Sequence, residues 1–259
     1  MSKARLRRAS KAKEQPENRS SRSNSLWLIG AGILLIGVII FAAVMSSRTP
    51  STTPSITSNT VTTLPVSAER TTLGNADAIV TVEMWEDFLC PACASWNKDV
   101  KPLLVGEYVE MGDSATAGTV KLEFHHFPLV NVHGPNAARA AEASECAADQ
   151  DAFWPYHDRL FEENRTRGQQ NRLDGFVYDA FVGYAEDLAL DVDEFTQCIG
   201  IGSGKYAELV QESIEEAFAI PLGSTPSIRI NGLLMPNPFS YNELKQEIDR
   251  LLAEETTES

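Results

Sequence analysis

Beyond residue 25 this chain is short of positive charge. Residues 1–25 hold eight of its 22 lysines and arginines but two of its 36 acidic residues, so the remainder runs to about −20. Nucleic-acid binding depends on basic surface that neutralises phosphates, so no nucleic-acid partner is expected. The acidity reads instead as a solvated surface. Cysteine is scarce as well, with four in 259 residues and none before Cys90. With none close behind the long apolar run near the N-terminus, a lipoprotein-type anchor is not expected. The chain also lacks a second Cys-X-X-Cys and any His-X3–5-His, which argues against a zinc site. It contains no internal repeat.

What is present falls into four segments. Residues 1–25 form a basic tail. Residues 26–45, LWLIGAGILLIGVIIFAAVM, are 20 uncharged and mostly apolar residues, about the length that spans a bilayer core as a helix. The basic flank lies before this run, which predicts an N-terminus in the cytoplasm and the C-terminal bulk outside, at the cell membrane. A cleaved signal peptide is the alternative, and the long lead-in and long run favour an uncleaved anchor. Residues 46–70, rich in Ser, Thr and Pro, read as an extended linker. The folded domain is expected over 71–255.

Within that domain, AIVTVEMW (78–85) reads as a strand that runs into EDFLCPACASW (86–96). Helical spacing follows, with Trp96, Val100, Leu103 and Leu104 on one face and Pro102 expected to kink or shorten the helix. TVKLEFHHFPLV (119–130) reads as a second strand. Helices are expected over 136–150, 152–164, 176–190, 192–200 and 204–220. Residues 226–236 read as a hairpin about Asn231-Gly232. A last helix over 240–252 has Ser240 as N-cap and Glu243 completing a capping box. The order is strand–helix–strand, a helical block at about 136–200, then strand–strand–helix: a mixed sheet interrupted by an inserted helical layer.

A thiol pair at Cys90 and Cys93 can hold half a zinc site, staple a loop or shuttle electrons. Its place between strand and helix favours the third. The first cysteine then lies at a helix N-terminus, where unpaired N–H groups stabilise a thiolate, the reactive species. Pro91 suits the first helical turn. Cys90 is the candidate nucleophile and Cys93, one turn further in, the resolving thiol. Cys146 and Cys198 remain as a second pair, read as a structural disulfide; a second redox relay is the alternative.

EDFLCPAC, NAARAAEASECAADQDAFWPYHDRLFEE and STPSIRING, in that order, resemble the DsbA-like thiol–disulfide oxidoreductases, and more narrowly their membrane-anchored Gram-positive and actinobacterial type. The similarity spans about residues 70–253. It implies an α/β thioredoxin fold with an inserted helical domain, preceded here by one transmembrane helix. It also implies that Thr225-Pro226 faces the thiol pair through a cis peptide bond, where sequence alone would default to trans. The Thr225 backbone would then pair with an extended substrate segment. The family often carries a buried carboxylate six residues before the first cysteine, and here that residue is Met84. Glu83 should point to the opposite face. Glu86 or Asp87 is the substitute if a proton relay exists, although all three acids read first as a solvated strand or loop.

The implied activity is a disulfide oxidase acting on secreted or exported proteins with free cysteines. Its reoxidant would be a quinone-linked membrane protein of the DsbB or vitamin K epoxide reductase type. No cofactor and no metal enter this reading. A disulfide reductase or isomerase is the rival enzyme, and a tethered non-catalytic binding module the rival of another class. His125, His126, His133 and His157 read as structural, and Phe153, Trp154, Tyr156 and Phe161 as helical-core packing.

Overall fold

The stretch Val80–Glu86 alternates side chains across a pleat. Val80, Val82 and Met84 are fully buried on one face, Trp85 is fully buried on the other, and Glu83 beside it is half-buried. A strand buried on both faces belongs in the middle of a sheet, and this one does. In the computed structural model, which describes residues 68–110, 116–171, 175–201 and 204–258, six strands run in the order β1-β2-β4-β3-β5-β6. They are β1 (Ala68–Glu69), β2 (Thr72–Gly74), β3 (Val80–Glu86), β4 (Val120–His126), β5 (Ser227–Ile230) and β6 (Leu233–Leu234). β3 pairs parallel with β4 and antiparallel with β5. β5 and β6 form the expected hairpin, with Asn231 and Gly232 both at positive φ in its turn.

A parallel pair needs a crossover. Between β3 and β4 it consists of α1 (Pro91–Asp99), the short α2 (Lys101–Leu104) and a widened helical turn over Val105–Val109. The helix breaks at Val100, consistent with Pro102, whose ring lacks an N–H and crowds the preceding turn. The chain restarts beyond the break, so Leu103 is 49% exposed and not on the buried face with Trp96, Val100 and Leu104 as the spacing suggested.

The helical layer is longer than the expected 136–200. It comprises α3 (Val130–His133), α4 (Asn136–Ala148), α5 (Phe153–Asn171), α6 (Tyr178–Asp187), α7 (Val192–Ile199) and α8 (Ala207–Ala219). Most of it joins one continuous core with the Val80–Val82–Met84 face. Trp85, Phe127, Ala217 and Leu222 form a separate cluster, so α8 covers the Trp85 side of the sheet. The last helix, α9 (Tyr241–Glu258), packs Leu244 and Ile248 into the main core. Ser240 caps it by accepting the Glu243 N–H at 3.4 Å. The expected reciprocal box is incomplete, because the Glu243 carboxylate accepts from Asn237 instead, at 3.2 Å.

The domain begins earlier than Thr71. Ala68 and Glu69, expected in the linker, pair with β2 as an edge strand. Residues 46–67 of the linker, the basic tail and the apolar run at 26–45 lie outside the described residues. Among the described residues no helix is long and apolar enough to cross a membrane.

Candidate active site

The turn joining β3 to α1 is tied down from several directions. Asp87 accepts the Leu89 N–H on Oδ1 at 2.8 Å, and its carbonyl accepts the Cys90 N–H at 2.9 Å. Its Oδ2 binds the Leu129 N–H at 2.8 Å and His133 Nδ1 at 2.6 Å. One carboxylate therefore joins the thiol turn to the segment leading into α3. From the other side, Asn164 on α5 donates to the Phe88 carbonyl at 2.7 Å.

Cys90 is the N-cap residue of α1 and Pro91 its first residue. Both thiols are free in this structure, Cys90 7% exposed and Cys93 fully buried. Their acidities diverge. The Cys93 thiol, as hydrogen-bond donor, lowers the Cys90 pKa to about 6; burial works against this, while the Thr225 side chain and the Cys93 and Ala92 backbone N–H groups add to it. Cys93 is pushed well above its usual value of 9.0 by burial first, then by its bond to Cys90 and by the negative charge of Glu86.

Thr225 and Pro226 are buried beside the pair, and the peptide bond between them is cis. The Cys90 thiol donates to the Thr225 carbonyl at 3.4 Å. The Thr225 hydroxyl is buried with no hydrogen-bond partner in this thiol form. It becomes a donor when Cys90 ionises, which is how it lowers the Cys90 pKa.

The acids depart from the sequence reading. Glu86 and Asp87 are not solvated; each is 1% exposed. Met84 is also fully buried, and Glu86 lies two residues further along the same strand face. The buried carboxylate is thus displaced by one pleat toward the thiols. Asn97 Nδ2 donates to both Glu86 oxygens, at 2.9 and 2.8 Å, and contacts the Cys93 carbonyl at 3.1 Å. Asn97 is four residues beyond Cys93, on the same helix face, and the sequence reading passed over it. Glu83 does face the other way, held by Arg229 at 2.7 Å.

The four histidines are spread through the fold. His125 stacks on Trp85 with ring centroids 4.2 Å apart, and burial lowers its pKa. His126 bonds Glu145 at 2.8 Å. His133 binds Asp87. His157 is fully buried among Phe88, Phe124, Phe153 and Phe161. Away from the thiol turn, Cys146 on α4 and Cys198 on α7 are joined by a disulfide with an S–S distance of 2.03 Å.

The chain has known counterparts. A family model described as Thioredoxin matches residues 67–250. A probable disulfide bond formation protein D from Bacillus anthracis is 30% identical over 181 residues, covering 70% of this chain and 77% of that protein. A Na(+)/H(+) antiporter, NhaA 3 of Salinispora tropica, is 31% identical over 186 residues, which are 71% of this chain but 25% of that protein. Among solved structures, oxidised BdbD from Bacillus subtilis superposes with a TM-score of 0.60 at 25% identity, covering 71% of this chain and 92% of that one.

Proposed function

This chain belongs to the DsbA-like thioredoxin family and is a thiol–disulfide oxidoreductase, and we propose that it works outside the cytoplasm as an oxidase, held to the membrane by residues 26–45 and donating disulfides to exported proteins. The observation that carries this reading is the unequal setting of the two sulfurs: Cys90 is stabilised as a thiolate while Cys93 is buried and held as a thiol. A stabilised thiolate stabilises the reduced enzyme, which makes its disulfide the stronger oxidant.

In the forward step a substrate thiolate attacks Cys90 of the oxidised pair. The new bond joins substrate sulfur to Cys90 Sγ, and the Cys90–Cys93 bond breaks with its electron pair on Cys93. Because Cys93 is buried, its thiolate needs a proton, and Glu86 is the carboxyl group at hand to supply it. A second substrate thiolate then attacks the mixed disulfide, forms the substrate disulfide and leaves Cys90 as the stable thiolate. Thr225 and Pro226 border the pair, and the Thr225 backbone lines up an extended substrate segment. Reoxidation of the dithiol falls to a quinone-linked membrane partner of the DsbB or vitamin K epoxide reductase type.

The test is the reduction potential of the pair, read by equilibration with glutathione and quantification of reduced Cys90. An oxidase should fall between about −120 and −220 mV. A value near −270 mV, the thioredoxin range, would overturn the oxidase direction and leave a reductase.

A further inference from the structure

A proton that moves to or from Cys93 needs a way past a fully buried sulfur. The Cys93 side has no exposed surface of its own, and Glu86 is as deeply enclosed. Glu86 is held by Asn97, whose amide can orient the carboxylate but cannot carry a proton through to water. Among the described residues, the titratable group besides Cys93 that an interaction brings to Glu86 is His157, with Nε2 at 3.9 Å from Glu86 Oε2.

The opposite edge of that buried imidazole meets an exposed residue. His157 Nδ1 lies 2.8 Å from Asp158 Oδ1 and 3.4 Å from Lys101 Nζ. Lys101 in turn donates to the same Asp158 oxygen at 2.6 Å. Partial desolvation would raise the Asp158 pKa, but the Lys101 charge and the His157 bond outweigh it and keep Asp158 ionised. An ionised carboxylate only accepts, so a 2.8 Å contact places a hydrogen on Nδ1. In the neutral ring Nε2 is then a bare lone pair, buried, without a hydrogen-bond partner and 3.9 Å from Glu86 Oε2. Asp158 is exposed, with Lys101 and Asn97 beside it on the wall of a cleft of about 550 Å³ between the α1–α2 region and α5. The remaining neighbours of the ring are the aromatic side chains named above, with Trp154 at 5.0 Å between centroids. Among the described residues, the charged and titratable groups that face it are thus Glu86 from β3, Lys101 from α2 and Asp158 from its own helix.

We propose that His157 passes the Cys93 proton between Glu86 and this cleft, so that protons enter and leave from the α5 side of the molecule and not from the substrate face. The inference rests on the reading of Cys93 as the buried partner thiol. When Cys93 leaves as a thiolate, protonated Glu86 gives its proton to the sulfur. The resulting carboxylate takes the proton from Nε2 while Nδ1 takes one from the cleft, which leaves the ring in the Nδ1–H form of this dithiol structure. When Cys93 must lose its proton to attack a mixed disulfide, the same transfers run backward. The 3.9 Å gap closes to bonding distance when either partner carries the shared proton, because two facing lone pairs repel and a donor facing an acceptor attracts. His157 touches no substrate and acts through Glu86; it is a positioning and relay residue.

The test compares full-length wild type, His157→Phe and His157→Gln in single-turnover oxidation of a cysteine-containing peptide between pH 5 and 8. Phenylalanine keeps the aromatic packing and glutamine keeps a polar partner for Asp158, while neither conducts a proton. Both variants should slow turnover at pH 7 by about tenfold or more and change the pH profile, while the alkylation midpoint of Cys90 stays at its wild-type value. Wild-type rates and profile in both variants would overturn the relay. Should the variants not fold, nitrogen resonances of His157 in the wild type decide: an Nδ1–H tautomer whose Nε2 signal differs between oxidised and reduced protein is expected, and an Nε2–H tautomer in both states overturns it. If the wild-type disulfide fails to oxidise the peptide at all, the oxidase reading falls as well, which separates that failure from failure of the relay alone.

Discussion

The amide of Asn97 clamps both carboxylate oxygens of Glu86, at 2.9 and 2.8 Å, inside the fold. Two residues on successive elements thereby hold an acid next to a buried thiol. Replacing Asn97 with Leu should leave that carboxylate without donors. The expected cost is about 1–3 kcal/mol, read from urea unfolding of the reduced protein, with Cys90 still reactive. Unchanged stability would show that the clamp is not what makes the buried acid tolerable.

Cys90 should be alkylated with a midpoint near pH 6. At pH 7 a fall from 9.0 to about 6 stabilises the reduced protein by about 1.4 kcal/mol, or about 30 mV for a two-electron couple. The folded pKa is depressed, so this stability is full above the unfolded value and is lost as pH falls through 6. The melting temperature of reduced relative to oxidised protein should therefore rise between pH 5 and 8. A flat difference would contradict the thiolate assignment.

Thr225→Val should raise the Cys90 midpoint by about one unit, because a donor to the thiolate is lost. Since the hydroxyl has no partner in the thiol form, the variant should not lose stability at pH 5. An unmoved midpoint would remove Thr225 from the thiolate's surroundings.

Changing both Cys146 and Cys198 to Ala opens a link between residues 52 apart in sequence. Chain entropy puts the loss at about 4 kcal/mol. Calorimetry should register it as a lower melting temperature, while Cys90 alkylation and the reduction potential stay the same. A changed potential would indicate that the second pair takes part in electron transfer.

A reporter enzyme fused after Ser259 should be active only outside the cytoplasm, given the basic residues before the apolar run at 26–45. Cytoplasmic activity would remove the export reading.

The thiol motif, its place between strand and helix, the crossover, the hairpin at Asn231-Gly232 and the broken helix at Pro102 were legible from residue order, because short-range pattern and backbone chemistry dictate them. Met84 announced that the family's usual acid was missing, and strand alternation alone would have moved attention two residues on, to Glu86. What alternation cannot report is which face is covered. Glu86 and Asp87 look like solvated acids until α1, α3 and α5 close over them, and Asp87 gains its partners from residues 42 and 46 positions away. Lys101, Asn164 and His157 acquired their settings in the same way, from helices distant in sequence. Local order determined where the sulfurs sit on the chain; only tertiary packing decided which charges are kept from water beside them, since burial and long-range hydrogen bonding are properties of the assembled fold.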